Sequence, residues 1–561
     1  RQPEGWWISE VQDAKAKALA NAAGDSDHAP TVMCELDSDG FEERLVPFPV
    51  ASGRYRSLAA VKDGVVWIEE ADRGGELGAT RAGVTGEAPA DVLVHYGFAS
   101  RRIERIVEAV DTFAVSGDGE RLIVRHKDEV CVVPSDHKVD AEDPAHVAVD
   151  LTRLRRRITP RDEWRQMFDE NGRLMATHYW RDDMNGVDWE AVLRRYRPLV
   201  DRIHSVDDLY DILWETVGEL NTSHSYVSPA GLDGDPSLRA GLLGADYGVP
   251  TDDGVPIVRV VPGESSDPLA WSPLRAAGVA VRDGDVIVAV DGNKLGHDLS
   301  LGEALEGSAG HTVELTVRTG DQVRRVAVVP VADEAPLRYH DWVASRRRYV
   351  EERSGGRLGY LHVPDMVSNG WAELHRQIVE ATRHEGVVAD VRFNHGGHTS
   401  QLVVERLSRQ VLGWDFGKWY DTPATYPQNA VRGPIVMVTN QWAGSDGDIV
   451  SAVTQAMGYA PIVGERSWGG VVGIDGRFDL VDGTEVTQPR YAGWYGDYGW
   501  GVENHGVDPD ITVTVRPEDW ESDRDVQLDA AIDYCIAQLG ERPAAIPPAM
   551  PPAAFGGPVE E

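Results

Sequence analysis

The chain has 561 residues, which at roughly 150 residues per domain predicts about three to five domains. With 42% hydrophobic and 26% charged residues it reads as a soluble globular protein, and a net charge of −37 argues against nucleic acid as a partner. No run approaches the ~18 apolar residues of a membrane span, so no membrane association is expected. The three cysteines, Cys34, Cys131 and Cys535, are odd in number and far apart, which argues against a disulfide framework or a cysteine-based zinc site. The expected compartment is the reducing cytoplasm. Arg1 is not a methionine and no signal-peptide core follows it, so either a fragment or a processed start is implied.

Residues 1–145 alternate short β-rich runs with turn dipeptides. Tyr55 to Ile68 reads as strand, Asp-Gly turn, strand, and Val110 to Val124 followed by Glu129 to Val133 repeats the rhythm. Units of about 40–50 residues built from short antiparallel strands suggest propeller blades, with a sandwich as the alternative. About three blades fit. They cannot close a ring and leave open strand edges, which predicts further propeller outside this sequence or on a second polypeptide.

Residues 146–237 turn helical. Thr159-Pro-Arg-Asp-Glu-Trp has an N-cap followed by proline at the first helical position, and apolar residues recur at three- and four-residue spacing from Trp189 and from Val206. The polar stretch Asn221-Thr-Ser-His-Ser225 ends the last of these helices. Residues 238–333 are β-rich. Gly284-Asp-Val-Ile-Val-Ala-Val-Asp-Gly292 resembles the strand and tight turn of a PDZ domain, with Gly241-Leu-Leu-Gly244 where such domains place their carboxylate-binding loop. In residues 334–540 strands alternate with helices. The near-continuous apolar runs at 386–392 and 434–439 predict strands buried on both faces of an α/β layer. The proline-rich segment 541–561 is expected to be disordered.

Ser445 lies in Asn440-Gln-Trp-Ala-Gly-Ser-Asp-Gly-Asp448, between an apolar strand and a helical pattern. A serine on a sharp strand-to-helix turn exposes its hydroxyl beside free backbone N–H groups, though an ordinary N-cap would show the same residues. The core resembles proteases of the carboxy-terminal-processing type, which place a base lysine about 25 residues after the serine. Here no lysine follows Lys418, and glycines occupy that region. Arginine does not deprotonate in proteins. The histidine candidates are His505 downstream and His224 in the Thr222-Ser-His-Ser225 loop.

Thr222-Ser-His, Asp390-Val-Arg-Phe-Asn-His-Gly-Gly397, Ala443-Gly-Ser-Asp-Gly-Asp448, Trp468-Gly-Gly-Val-Val-Gly473 and Val502-Glu-Asn-His-Gly-Val-Asp-Pro-Asp510 together resemble the tricorn protease family, in its order, over about 150–540. The resemblance implies a multidomain β and α/β protein. Its parts are the last blades of a seven-bladed propeller, a helical domain carrying Ser223 and His224, a PDZ-like domain, and an α/β serine-protease core carrying Ser445 and Glu503. It further implies Ser445 as nucleophile, His224 as base, and Ser223 and Glu503 as the groups orienting the imidazole. The backbone N–H groups of Gly397 and Asp446 would form the oxyanion hole. Asp415, in Gly413-Trp-Asp-Phe, would set specificity in a partner subunit's first pocket, with Asp421 as a nearby alternative. His395 and His398 flank the glycine pair, where the family has other residues, and are given no catalytic role. By resemblance the protein is a homohexamer that cleaves peptides into short products. The peptides would come from an upstream ATP-dependent protease such as the proteasome, with aminopeptidases downstream. No metal or organic cofactor is implied. Carboxy-terminal processing and a catalytically silent peptide-binding scaffold are the alternatives.

Overall fold

The computed structural model describes residues 50–71, 89–231, 235–264, 267, 270–475, 478–522 and 524–550. The described residues divide into two compact units, one holding residues 90–149 with the preceding strands, the other those from 150 onward.

Among the described residues the first unit holds two four-stranded antiparallel meanders. β1 (Tyr55–Val61), β2 (Gly64–Glu69), β3 (Val92–Gly97) and β4 (Arg102–Val107) form one. β5 (Thr112–Val115), β6 (Arg121–His126), β7 (Glu129–Pro134) and β8 (Val147–Ala148) form the other. The expected Asp-Gly turn closes β1 onto β2, with Asp63 at φ 60°. Both meanders have the strand order of a propeller blade and share a core that includes Ile68, Leu93, Leu122 and Val133. The third expected unit falls largely on residues 1–49, outside the described residues. β8 carries this unit slightly past the expected boundary at 145.

The second unit opens with three helices, α1 (Pro160–His178), α2 (Trp189–Val200) and α3 (Val206–Gly218). Pro160 stands at the first position of α1 as the sequence predicts, but the Thr159 hydroxyl makes no capping bond. Ser205 and Asp208 start α3 with a reciprocal capping box. Apolar faces of all three meet around Phe168, Leu174, Leu209 and Leu213, and Val227 of the short strand β9 (Val227–Ser228) packs with them.

A six-stranded antiparallel sheet follows, from β10 (Ala245–Tyr247), β11 (Val255–Val260), β12 (Val286–Val290), β13 (Asn293–Lys294), β14 (Val313–Thr319) and β15 (Gln322–Val328). The Gly-Asp motif enters β12 and leaves through a turn with Asp291 and Gly292 at positive φ. The loop expected to take a carboxylate is engaged within the chain: the Gly244 N–H donates to Glu334 Oε1 at 2.6 Å.

The third region has a five-stranded parallel sheet in the order β16 (Leu358–His362), β17 (Gly386–Asp390), β20 (Ile435–Thr439), β21 (Ile462–Gly464), β25 (Ile511–Thr512). All five residues of β16, β17 and β20 are buried, because helices cover both faces. On one face α4 (Ala335–Ser354) and α8 (Val526–Glu541) bring Val343, Val350, Leu528 and Ile532 against Tyr360, Val388 and Val436. On the other, α5 (Ser368–Ala381), α6 (Ser400–Leu407) and α7 (Asp446–Met457) bring Leu374, Val403 and Val450 against Leu361, Ala389 and Met437. Small pairs complete the unit: β18 (Gly413–Asp415) with β19 (Ala424–Tyr426), β22 (Gly473–Asp475) with β24 (Gln488–Tyr491), and β23 (Glu485–Val486) with β9. In open parallel sheets functional groups collect beyond the carboxyl ends of the strands, and here the 391–397 and 440–445 loops leave those ends of β17 and β20.

The start of the proline-rich tail departs from expectation. Residues 543–547 lie along the domain, where Ala545 donates its N–H to Arg432 O at 2.7 Å and Ala544 packs on the core. Proline removes backbone donors but favours extended chain, so the segment docks without forming a regular strand. Residues 551–561 lie outside the described residues.

Candidate active site

The sheet first builds the turn that carries Ser445. Beyond β20, Ser445 takes φ 59° and ψ −121° immediately before α7, and its hydroxyl makes no capping hydrogen bond. A left-handed serine is strained, and the ordinary N-cap reading does not describe it. Small neighbours make the position accessible. A Cβ on Gly396 would lie 2.5 Å from the Ser445 Cβ, and one on Gly444 would lie 2.7 Å from the Trp468 ring.

His224 enters from the helical region on the loop between α3 and β9. It is buried at φ 60°. The pairing of β9 with β23 draws the loop to the α/β layer, and Thr487 fixes it: its hydroxyl donates to His224 O at 2.5 Å and accepts the Tyr226 N–H at 2.8 Å, and its own N–H donates to Tyr226 O at 3.1 Å. Asn504 Nδ2 adds a bond to Asn221 O at 2.7 Å. Trp468 meets the His224 ring edge-on at 5.4 Å and also covers Gly444, so one indole spans from the imidazole to the serine turn. Among the described residues no hydrogen bond joins Ser445 to His224. Such bonds are often long before substrate binds.

The other side of the imidazole is fully engaged. Nδ1 lies 2.9 Å from Ser223 Oγ, which is 3.0 Å from Glu503 Oε2. Ser223 also donates its N–H to Oε1 at 2.7 Å, and Val471 and Val472 donate theirs to Oε2 at 2.8 and 2.9 Å. The carboxylate can only accept, so the Ser223 proton points at Glu503 and the hydroxyl oxygen accepts from Nδ1–H. That tautomer leaves Nε2 bare, as a general base requires. Burial pushes the His224 pKa down and Glu503 pulls it back up, with a net shift below its ordinary value.

Two backbone donors complete the arrangement. Among the described residues the N–H groups of Gly397 and Asp446 donate to no protein acceptor, while those of Gly396, His398 and Gly447 are bonded. Gly396 donates to Asn394 Oδ1 at 2.9 Å and accepts from Met366 at 2.7 Å. Gly397 sits at φ 144°, and a Cβ there would lie 2.1 Å from Met366 O, so only glycine fits. The Asp446 N–H is the first of α7 and adds the helix dipole. Its side chain turns away to accept from the Ser400 N–H at 2.9 Å and from the Ser400 hydroxyl. Burial raises the Asp446 carboxyl pKa against these bonds.

Asn394 is a contributor that motif reading left without a role. Its Nδ2 donates to Val363 O at 2.8 Å, its Oδ1 holds Gly396, and its carbonyl accepts the Gly444 N–H at 3.0 Å. A buried asparagine inside a glycine-rich motif was the available signal. Behind it, Arg392 is buried and paired with Asp390 at 2.7 Å and with Asp525 at 3.0 Å, which anchors the start of the loop.

The remaining candidates lie apart. Asp415 is exposed at the end of β18, opposite Ala424, and within the chain it makes no hydrogen bond to the groups above. Asp421 is exposed on the same hairpin. His395 and His398 are exposed beside the glycine pair. His505 pairs with Asp508 at 2.8 Å and takes no part in the site.

Residues 357–513 match the model of peptidase family S41, residues 160–218 that of the tricorn protease C1 domain, and residues 241–333 that of the tricorn protease PDZ domain. Tricorn protease homolog 1 of Streptomyces coelicolor is 54% identical over 520 residues, covering 92% of this chain and 48% of that protein. The tricorn protease of Thermoplasma acidophilum is 34% identical over 509 residues, covering 90% and 46% respectively. The crystal structure of the tricorn protease matches with a TM-score of 0.80 at 30% identity, over 93% of this chain and 50% of that one. The chain thus spans about half the length of the curated relatives it matches.

Proposed function

The chain belongs to the tricorn protease family over the span it shares with these relatives, and from that premise we propose that it is a serine peptidase with Ser445 as its nucleophile. His224 Nε2 takes the Ser445 proton as Oγ attacks the scissile carbonyl, then returns it to the leaving amine. Ser223 and Glu503 hold the imidazole tautomer and stabilise the imidazolium. The Gly397 and Asp446 N–H groups receive the oxyanion, each such donor being worth about 3 kcal/mol. Water then releases the acyl group from Ser445. The observation that carries this reading is the relay from His224 through Ser223 to Glu503, joined by Trp468 to the turn of a strained serine beside two N–H groups that, among the described residues, have no protein acceptor.

The substrates proposed are peptides, cut to short products in the cytoplasm downstream of an ATP-dependent protease. The two meanders would be blades of a propeller, and the assembly a homohexamer, which light scattering tests directly. Against carboxy-terminal processing by a Ser–Lys dyad stands the absence of any lysine after Lys418. Against a silent scaffold stands the bonded relay, which peptide binding alone does not require.

The test is hydrolysis of fluorogenic peptides by wild type and Ser445→Ala. The substitution should lower kcat/KM by at least about 10³-fold without changing the assembly. An unchanged rate in the purified variant would sink the assignment.

A further inference from the structure

Four successive backbone N–H groups, from Gly469 to Val472, divide between two carboxylates. Gly469 and Gly470 donate to Asp448 Oδ1 and Oδ2 at 2.8 and 3.1 Å. Val471 and Val472 donate to Glu503 Oε2. Asp448 lies in the first turn of α7, three residues after Ser445, and is completely buried. Among the described residues no cation pairs with it. Burial pushes its carboxyl up in pKa, while the Ser467 hydroxyl and the N–H groups of Gly469, Gly470 and Ser445 pull it down. A carboxylate buried without a cation is expensive and persists only when its hydrogen bonds are made.

These contacts span the two halves of the proposed machinery. Asp448 belongs to the nucleophile helix, and the segment it grips presents the next two N–H groups to the residue that orients His224. The segment is also pinned from outside. Gly469 is at φ 89°, a Cβ there would lie 2.5 Å from the Gly506 N, and its carbonyl accepts the Asn504 N–H at 2.7 Å. The same stretch is where a Ser–Lys protease of this core would carry its base lysine. Here backbone dipoles stand in its place, and they can serve Glu503 only if the segment is held.

We propose that Asp448 is a positioning residue, which acts through the Gly469–Gly470 amides to hold Glu503, and through it Ser223 and His224, in register with Ser445. The inference rests on the serine peptidase reading. The rival account is that Asp448, as a first-turn acid, merely stabilises α7, and then its loss would not depend on Glu503.

A double-mutant cycle separates the two. Asp448→Asn, Glu503→Gln and the double variant, each purified and checked for folding by circular dichroism, are compared on one fluorogenic peptide. Asp448→Asn should lower kcat by about 10- to 100-fold with KM within about twofold, and the double variant should match Glu503→Gln within about twofold. Losses that multiply, or an Asp448→Asn enzyme with wild-type kcat, would overturn the proposal. If Asp448→Asn does not fold, Ser467→Ala removes one of the same hydrogen bonds and enters the cycle with a smaller loss. A wild type without Ser445-dependent hydrolysis counts against the peptidase reading instead. In that event the imidazole titration of His224, followed by NMR, decides the positioning role. Asp448→Asn should shift it in the wild-type background and leave it unmoved in Glu503→Gln, and an equal shift in both backgrounds would refute it.

Discussion

Glu503→Gln probes the relay with the smallest steric change. Oε2 accepts three hydrogen bonds and Oε1 accepts one, from the Ser223 N–H. The amide oxygen can take the place of Oε2 and keep the three. The new NH₂ group then faces the Ser223 N–H, donor against donor. One hydrogen bond to a charged group is lost, worth about 1.5–3 kcal/mol, and the anion supporting the imidazolium disappears. If 2–3 kcal/mol of that falls on the transition state, kcat/KM drops by about 30- to 150-fold. His224→Ala should cost more, because it removes the base itself. The pH profile gives an independent sign. Burial lowers the His224 pKa and Glu503 raises it, so the wild-type rate should fall with acid through a midpoint below about 6.5. Removing the Glu503 charge should move that limb further to acid. Rates of both enzymes from pH 4 to 9 on one fluorogenic peptide provide the check. A loss under about threefold, or a limb displaced to higher pH, would refute the reasoning, and a wild-type midpoint above about 9 would indicate a lysine-like base.

Gly397→Ala should lower kcat/KM by at least about 10²-fold, because its Cβ would strike Met366 O and displace one oxyanion donor; an active, folded alanine variant would remove Gly397 from that role. Arg392→Leu should destabilise the second unit by about 3–5 kcal/mol, since it leaves Asp390 and Asp525 buried without their cation; an unchanged denaturant midpoint would contradict this. Asp415→Asn should erase a preference for Arg over Leu before the scissile bond if this exposed carboxylate reaches a partner's pocket. An Arg/Leu ratio of kcat/KM that stays constant would exclude that role while leaving the nucleophile assignment untouched.

The parallel strands were legible because burial on both faces writes an uninterrupted apolar run, as at 386–390 and 435–439, and the boundaries differ from expectation by a residue or two at most. Ser445 was legible as a strand-to-helix serine, but its left-handed backbone was not, since no residue type at that position announces it. The tail was misread at its start for a similar reason. Composition shows that residues 543–547 cannot make regular structure, yet says nothing of a neighbouring edge that can accept an extended chain.

The least legible part of the site is the part that backbone supplies. Beside the Ser223 hydroxyl, Glu503 is held by three N–H groups, and Asp448 by the two N–H groups that precede Val471, and none of these backbone donors has a side-chain signature. The proposed oxyanion donors are visible only as N–H groups that, among the described residues, lack a protein acceptor. Such features depend on five segments meeting: 222–226, 394–397, 444–448, 467–472 and 503–504. The meeting is secured by contacts remote from the chemistry, including the two-residue pairing of β9 with β23 and the three hydrogen bonds of Thr487 to the His224 loop. These contacts bring the His224 loop of the helical region onto the α/β layer. A substitution that weakens this pairing, such as Thr487→Val, would therefore act on the position of the base without touching any group that meets the substrate.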